Sequence, residues 1–341
     1  MKPIAEPYLG SSAQRCAAAI LAVAMLGAGA LGCTATYPAD AVEQSIIRLC
    51  QQEYKIDVKV ATVGQTIAIY LPLTNLLDFT FTVTPEASDR INNVLLCATR
   101  VVISTNAQFN FYCVIAHDTR LPEIQIVIIK SVDDVKRFLL SDVSRSEYSK
   151  RMLIDLRLSP QAKKEKVIKD IFERMNLDKE WQEELLNDFF RTEPAALGEI
   201  GYWNDRFFIK DITISEFIAE QIASRVKIEF KDIPELSEAF LVKSSDGKYM
   251  SDQGERFFTL EVLAVNRKFD EIDRDVSSDV FKMGLLVAAN VVHAYKFEDF
   301  NYIDIVNVRD YKHLKVSRET LEAYRLKEMT FDEVAQHNLS L

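Results

Sequence analysis

One succession of patterns occurs twice in the 341-residue chain, and this repetition constrains the fold more than any other feature. In its first occurrence, Ala41 to Tyr54 reads as a helix with Val42, Ile46, Leu49 and Cys50 on one face. Ile56–Val60 and Thr66–Tyr70 alternate around Gly64 as a hairpin. Thr84 and Pro85 then open a helix, with Thr as N-cap and Pro in the first turn. Its apolar stripe is Ala87, Ile91, Val94, Leu95, Ala98, Val101 and Val102. Two strands, Phe109 to Ala116 and Ile124 to Lys130, precede a further helix from about Val132.

The second occurrence lies near the C-terminus. Aligning Phe79 with Phe269 sets an offset of 190 residues. At that offset Ser88, Asp89, Leu95, Leu96, Ala98, Val101 and Val102 meet Ser278, Asp279, Leu285, Leu286, Ala288, Val291 and Val292. One added residue brings Phe109-Asn110-Phe111 onto Phe300-Asn301-Tyr302, and Ser317 to Met329 then matches Ser131 to Val143. Upstream, Thr213-x-x-Glu216 forms a capping-box pattern before a helix carrying Ile214, Ile218, Ile222 and Val226 in line, with Phe258 to Val265 as a later strand. Two amphipathic helices can agree by chance, but the ungapped run and the shared order favour duplication. The expected fold class is α+β: two related domains in tandem, each with helices packed on a small sheet. The expected domains are 33–150 and 201–341, joined by a helical connector over 151–200 in which Trp181, Leu185 and Phe189 share a face.

A net charge of −10 makes nucleic acid a poor partner, because such binding rests on neutralising phosphates. Anionic headgroups would repel the chain as well, so membrane attachment requires a covalent anchor. The N-terminus offers one. Lys2 and Arg15 precede an unbroken apolar run from Cys16 to Leu31, the charged lead and short apolar core of a secretory signal. A membrane-spanning helix usually needs about 20 apolar residues, so a permanent span suits this shorter, Ala- and Gly-rich run less well. An uncleaved anchor and ordinary signal cleavage nearby are the alternatives.

The segment Leu26-Gly-Ala-Gly-Ala-Leu-Gly-Cys33 resembles the lipobox of bacterial lipoproteins, in which small residues precede an invariant Cys. The resemblance implies that residues 1–32 are a lipoprotein signal peptide and that Cys33 receives the lipid. Two or three acyl chains there would anchor stably where one would be marginal. It also implies an envelope protein facing the periplasm. Thr34 stands where Asp favours inner-membrane retention in such systems, which makes the outer membrane the better expectation. Gly27, Gly29 and Gly32 spell a dinucleotide fingerprint, but inside a signal core they lack the strand and helix that motif needs.

Chemical sites are weakly indicated. Beyond Cys16 and Cys33 there remain Cys50, Cys97 and Cys113, an odd set among apolar neighbours, so buried thiols are expected with at most one bridged pair. His117, His293, His313 and His337 show no metal-ligand spacing. His117-Asp118 ends a strand and could hold catalysis, but a turn-capping Asp explains both it and Asp310 in the second occurrence. Asp270, Glu271, Asp273, Asp275 and Asp279 suggest calcium, yet Val276 and Lys282 stand where an EF-hand needs Gly and Glu. Acidic residues around a first helical turn are simply favoured by the helix dipole. No cofactor and no metal site is expected.

Gly201 to Phe208 carries four aromatics and an Arg, the composition of interface hot spots, with Tyr202, Trp203, Arg206 and Phe207 as speculative interaction residues. In a strand, its alternate side chains could equally serve the core. The leading expectation is a non-enzymatic, lipid-anchored envelope protein that binds envelope protein partners. The alternatives are a binding protein for a small molecule or cell-wall fragment held between the two copies, and a hydrolase with an unrecognised site.

Overall fold

A computed structural model describes residues 36–78, 82–158, 197–198, 200–266 and 276–340. The expected signal segment at residues 1–32, Cys33, Gln161 to Arg191 and most of the acidic run at 270–279 lie outside them. The described chain is a mixed α+β structure.

Helix α1 (Val42–Leu49) buries Val42 and Ile46, then widens into a π turn at Cys50–Tyr54. Lys55 ends that turn in the left-handed region at φ 56°. Strands β1 (Lys59–Val63) and β2 (Thr66–Leu73) pair antiparallel around Gly64, whose φ of +56° suits a residue without Cβ. Thr84 caps α2 (Pro85–Ile103) by accepting from the Ala87 amide, and the whole anticipated stripe of α2 is buried. Strand β3 (Phe111–Asp118) runs parallel to β2, and β4 (Ile124–Ser131) returns antiparallel. Ser131 caps α3 (Val132–Leu139), Ser144 caps α4 (Arg145–Lys150), and β5 (Leu153–Leu158) closes the sheet in the order β1-β2-β3-β4-β5. The first sheet therefore ends at Leu158, beyond the boundary expected at residue 150. Leu153-Ile-Asp-Leu-Arg-Leu158 alternates like a strand, but its short reach after a helix hides it within the expected connector.

Next comes a hairpin of β6 (Gly201–Trp203) and β7 (Arg206–Phe208), turned by Asn204 and Asp205 at φ 49° and 59°. Two consecutive left-handed residues are the signature of a tight primed turn. Thr213 and Glu216 form the expected capping box of α5 (Ile214–Asp232). After α6 (Pro234–Ala239), strands β8 (Phe240–Asp252) and β9 (Glu255–Asn266) form a long antiparallel pair with a bulge at Val242/Ser244. Helix α7 (Ser277–Ala294) crosses to β10 (Tyr302–Asn307), parallel to β9. Strand β11 (Lys312–Ser317) follows, then α8 (Arg318–Arg325), α9 (Phe331–Asn338) and the short β12 (Leu339–Ser340). The second sheet runs β12-β11-β10-β9-β8, so each half follows helix, hairpin, helix, parallel strand, antiparallel strand, two helices and a last strand.

The halves differ in how their sheets are covered. In the first, one face carries Ile67, Ile69, Val114, Ile126 and Ile128 under α1, α2 and α3. Ala68, Tyr70, Cys113, Ile115 and Val127 on the other face lie under Leu197, Ile200, Tyr202, Ile212 and Phe217. With both faces covered, all eight residues of β4 are buried. Strand β9 instead alternates, burying Phe258, Leu260, Val262 and Ala264 against α5 and α7 while the residues between them are half-buried. Helix α5 approaches β8 so closely that a Cβ on Gly247 would lie 1.9 Å from the Ala219 carbonyl oxygen.

Candidate functional site

The aromatic hairpin lies mainly against the first sheet. Tyr202 is buried and stacks on Tyr70 with ring centroids 3.8 Å apart, and its hydroxyl accepts from Lys59 Nζ at 2.6 Å. Gln125, buried in β4, holds the Tyr202 backbone through its amide and its carbonyl, with the Tyr202 N–H donating at 3.0 Å. Phe207 meets Tyr202 edge-on and is half-buried, as is Trp203, while Arg206 and Phe208 are exposed. The strand pattern thus divides the four expected residues: Tyr202 and Phe207 pack inward, and Arg206 faces solvent.

His117 and Asp118, adjacent in β3, project to opposite sides. The His117 ring lies beside Tyr70, whose hydroxyl donates to Nδ1 at 2.8 Å while Nε2–H reaches the Pro122 carbonyl at 3.3 Å. Burial holds its pKa below the ordinary imidazole value. Asp118 is fully buried and accepts from the Leu76 and Arg120 amides, both at 2.9 Å. It organises two loops and shares no cleft with His117. Asp310 likewise accepts from Ser277 Oγ at 2.7 Å and from the Lys312 amide. Among the described residues no group of three or more His, Cys, Asp or Glu is placed to hold a metal ion. Asp279 sits in the first turn of α7, where a carboxylate meets the positive end of the helix dipole.

A polar seam joins the halves among the described residues. Asp134 on α3, 2% exposed, accepts from Arg151 Nη1 at 2.7 Å and from the Tyr295 hydroxyl at 2.6 Å, the latter arriving from the end of α7. Arg151 Nε also meets Glu147, which accepts from Arg225 of α5 at 2.6 Å. Arg137 caps α7 by donating to the Ala294 carbonyl, and Gln221 of α5 donates to the Arg151 carbonyl at 2.7 Å. Phe217 packs between Phe111 and Tyr295.

An open cavity lies elsewhere, in the second half. It occupies about 800 Å³ between the C-terminal part of α7 and α8. Val292, Phe297, Phe300, Leu321 and Leu326 supply an apolar floor. Glu298, Glu319, Glu322 and Glu328 rim it, against Lys296, Arg318 and His293. Arg318 is tied down, donating to the Glu298 carbonyl at 2.8 Å and lying 3.5 Å from Glu319. Arg325 holds the carboxyl of Glu322 below its usual range, and His293 adds to that effect. Sequence reading missed this site, since its residues come from two separate segments, 289–300 and 318–328, with no motif among them.

Among the described residues no helix is long and apolar enough to cross a membrane. No protein-family model matches the chain, and neither a curated protein nor a solved structure is significantly similar to it.

Proposed function

We propose that this chain is a non-enzymatic, lipid-anchored envelope protein that docks a basic amphipathic helix of a partner protein in the groove between α7 and α8. The observation that carries the docking is that groove: an apolar floor for one face of a helix, and a margin where four glutamates outnumber Lys296, Arg318 and Arg325. Helix-in-groove recognition needs this combination of buried apolar anchors and complementary charge.

The anchor rests on the lipobox-like sequence ending at Cys33. Tyr37, which packs on the first core beside the end of α2, is four Cα-to-Cα steps from Cys33. At about 3.5 Å per residue that tether spans at most ~14 Å, holding the first half close to the bilayer. The outer membrane is its proposed address.

The two halves are proposed to be duplicates. Equivalent hydrogen bonds support this beyond the shared strand order. Asn110 donates its amide to the Gln65 carbonyl and accepts from the Val132 amide; Asn301 does the same with Arg256 and Arg318. Ser131 and Ser317 cap the helices that follow. The separation of His117 from Asp118 speaks against hydrolysis.

Titration of the full-length protein in detergent with a fluorescent Lys/Leu amphipathic 18-mer tests the docking. Binding that falls about tenfold in Glu322→Lys/Glu328→Lys, and is lost in Leu326→Asp, is expected; Leu326 is half exposed, so that variant folds. Equal binding of a Glu/Leu peptide, or indifference to all three changes, would falsify it. Loss of acyl labelling in Cys33→Ser tests the anchor separately.

A further inference from the structure

Three thiols are described, all fully buried, and they do not share one environment. Cys113 lies on β3 with its side chain in the core beneath the hairpin, beside Ala68 and Ile115. Cys50 and Cys97 belong to the opposite core, with the sheet between them and Cys113. Cys50 sits where α1 passes into its π turn, and Cys97 is mid-way along α2, which that turn packs against. Packing of that turn on α2 brings their side chains close enough to interact.

We infer that Cys50 and Cys97 are a dithiol site that closes to a disulfide, fastening the anchor-proximal helix α1 to α2 while Cys113 stays reduced. Burial pushes the Cys50 thiol up, so the attacking thiolate, here that of Cys97, forms once α1 has moved off the core. Its sulfur attacks a disulfide oxidant, either a dithiol–disulfide protein or oxidised glutathione, and expels one thiolate of that oxidant. Cys50 then loses its proton and attacks the Cys97 sulfur of the mixed disulfide, expelling the second thiolate. Two protein thiols and one disulfide become one protein disulfide and two thiols. Oxidation needs α1 to swing off the core, since both sulfurs are buried. Once formed, the bond closes the chain from residue 50 to residue 97 and restricts the unfolded state.

Formation in the cell rests on the export proposed above, whereas the pairing does not. The full-length protein, extracted in detergent, is equilibrated with oxidised and reduced glutathione, acid-quenched, denatured and alkylated. Peptide mapping is expected to find the Cys50-containing and Cys97-containing peptides joined and Cys113 alkylated. Cys50→Ser and Cys97→Ser should each leave every remaining thiol alkylated. Alkylation of Cys50, Cys97 and Cys113 together in the oxidised wild type, or bridges involving Cys113, would overturn the assignment. Acid-trapping whole cells before extraction separates the two ideas: a bridge made by glutathione but absent in cells upholds the pairing and counts against export.

Discussion

Replacing Asp134 by Asn tests whether the two halves fold as one body. Asp134 and Arg151 are 2% and 5% exposed and meet at 2.7 Å, so the change removes one charge from a buried pair. Breaking such a pair costs about 3–5 kcal/mol, because the surviving ion stays buried without full compensation. Here Arg151 keeps Glu147 at 2.8 Å, which places the cost near the lower end, about 3 kcal/mol. The Tyr295 hydroxyl also exchanges a charged acceptor for a neutral one. Removing it alone, in Tyr295→Phe, deletes a hydrogen bond to a carboxylate and is expected to cost about 1.5–3 kcal/mol. The assay is urea unfolding followed by far-UV circular dichroism, with the two changes combined in a double-mutant cycle. An expected sign of weakened coupling is a transition that splits in two, since Tyr295 and Asp134 belong to different halves. A loss below about 1 kcal/mol for Asp134→Asn, or a coupling energy near zero, would refute the reasoning that this seam joins the halves.

Gly247→Ala should be among the most destabilising changes, about 3 kcal/mol or more, because its Cβ would meet the Ala219 backbone rather than a movable side chain; thermal unfolding reads it. Lys130, buried over the Tyr148 ring, is pushed down to about 8 by desolvation. The unfolded chain therefore binds more protons between pH 8 and its ordinary 10.5, and stability should rise with pH across that window. Lys130→Met should remove this rise and add about 2–3 kcal/mol at pH 7, measured by urea midpoints. Burial also depresses His117, so its contribution is complete above its unfolded value of 6.5 and is lost as pH falls through the depressed folded value. His117→Gln should flatten that acid limb, with proton titration followed by NMR as the check.

The local elements were legible because local rules govern them. Thr84-Pro85, Ser131 and Thr213-x-x-Glu216 announce helix starts through short-range hydrogen bonds, and the apolar stripe of α2 follows from helical period alone; in α5 it holds for Ile218, Ile222 and Val226, whereas Ile214, in the first turn, is exposed. The similar order of elements in the two halves was legible for the same reason, since caps and stripes are read locally. Strand β8 was less so. Its centre, Lys243-Ser-Ser-Asp-Gly-Lys248, carries a bulge and packs through the absence of a side chain at Gly247, leaving little apolar alternation to read.

What the sequence determined by itself was therefore the succession of elements, the acidic charge and the candidate anchor at Cys33. Tertiary structure alone decided which aromatics of the hairpin are core and which exposed, because Tyr202 is buried only by finding Tyr70, distant in the chain. It also decided that Asp134, Arg151 and Tyr295 meet, that Cys50 faces Cys97 with Cys113 across the sheet, and that α7 and α8 leave a groove. The physical reason is common to all of these. Caps and periodicity act over a few residues, whereas a buried ion pair, a thiol pair or an open groove depends on which faces meet when whole elements pack.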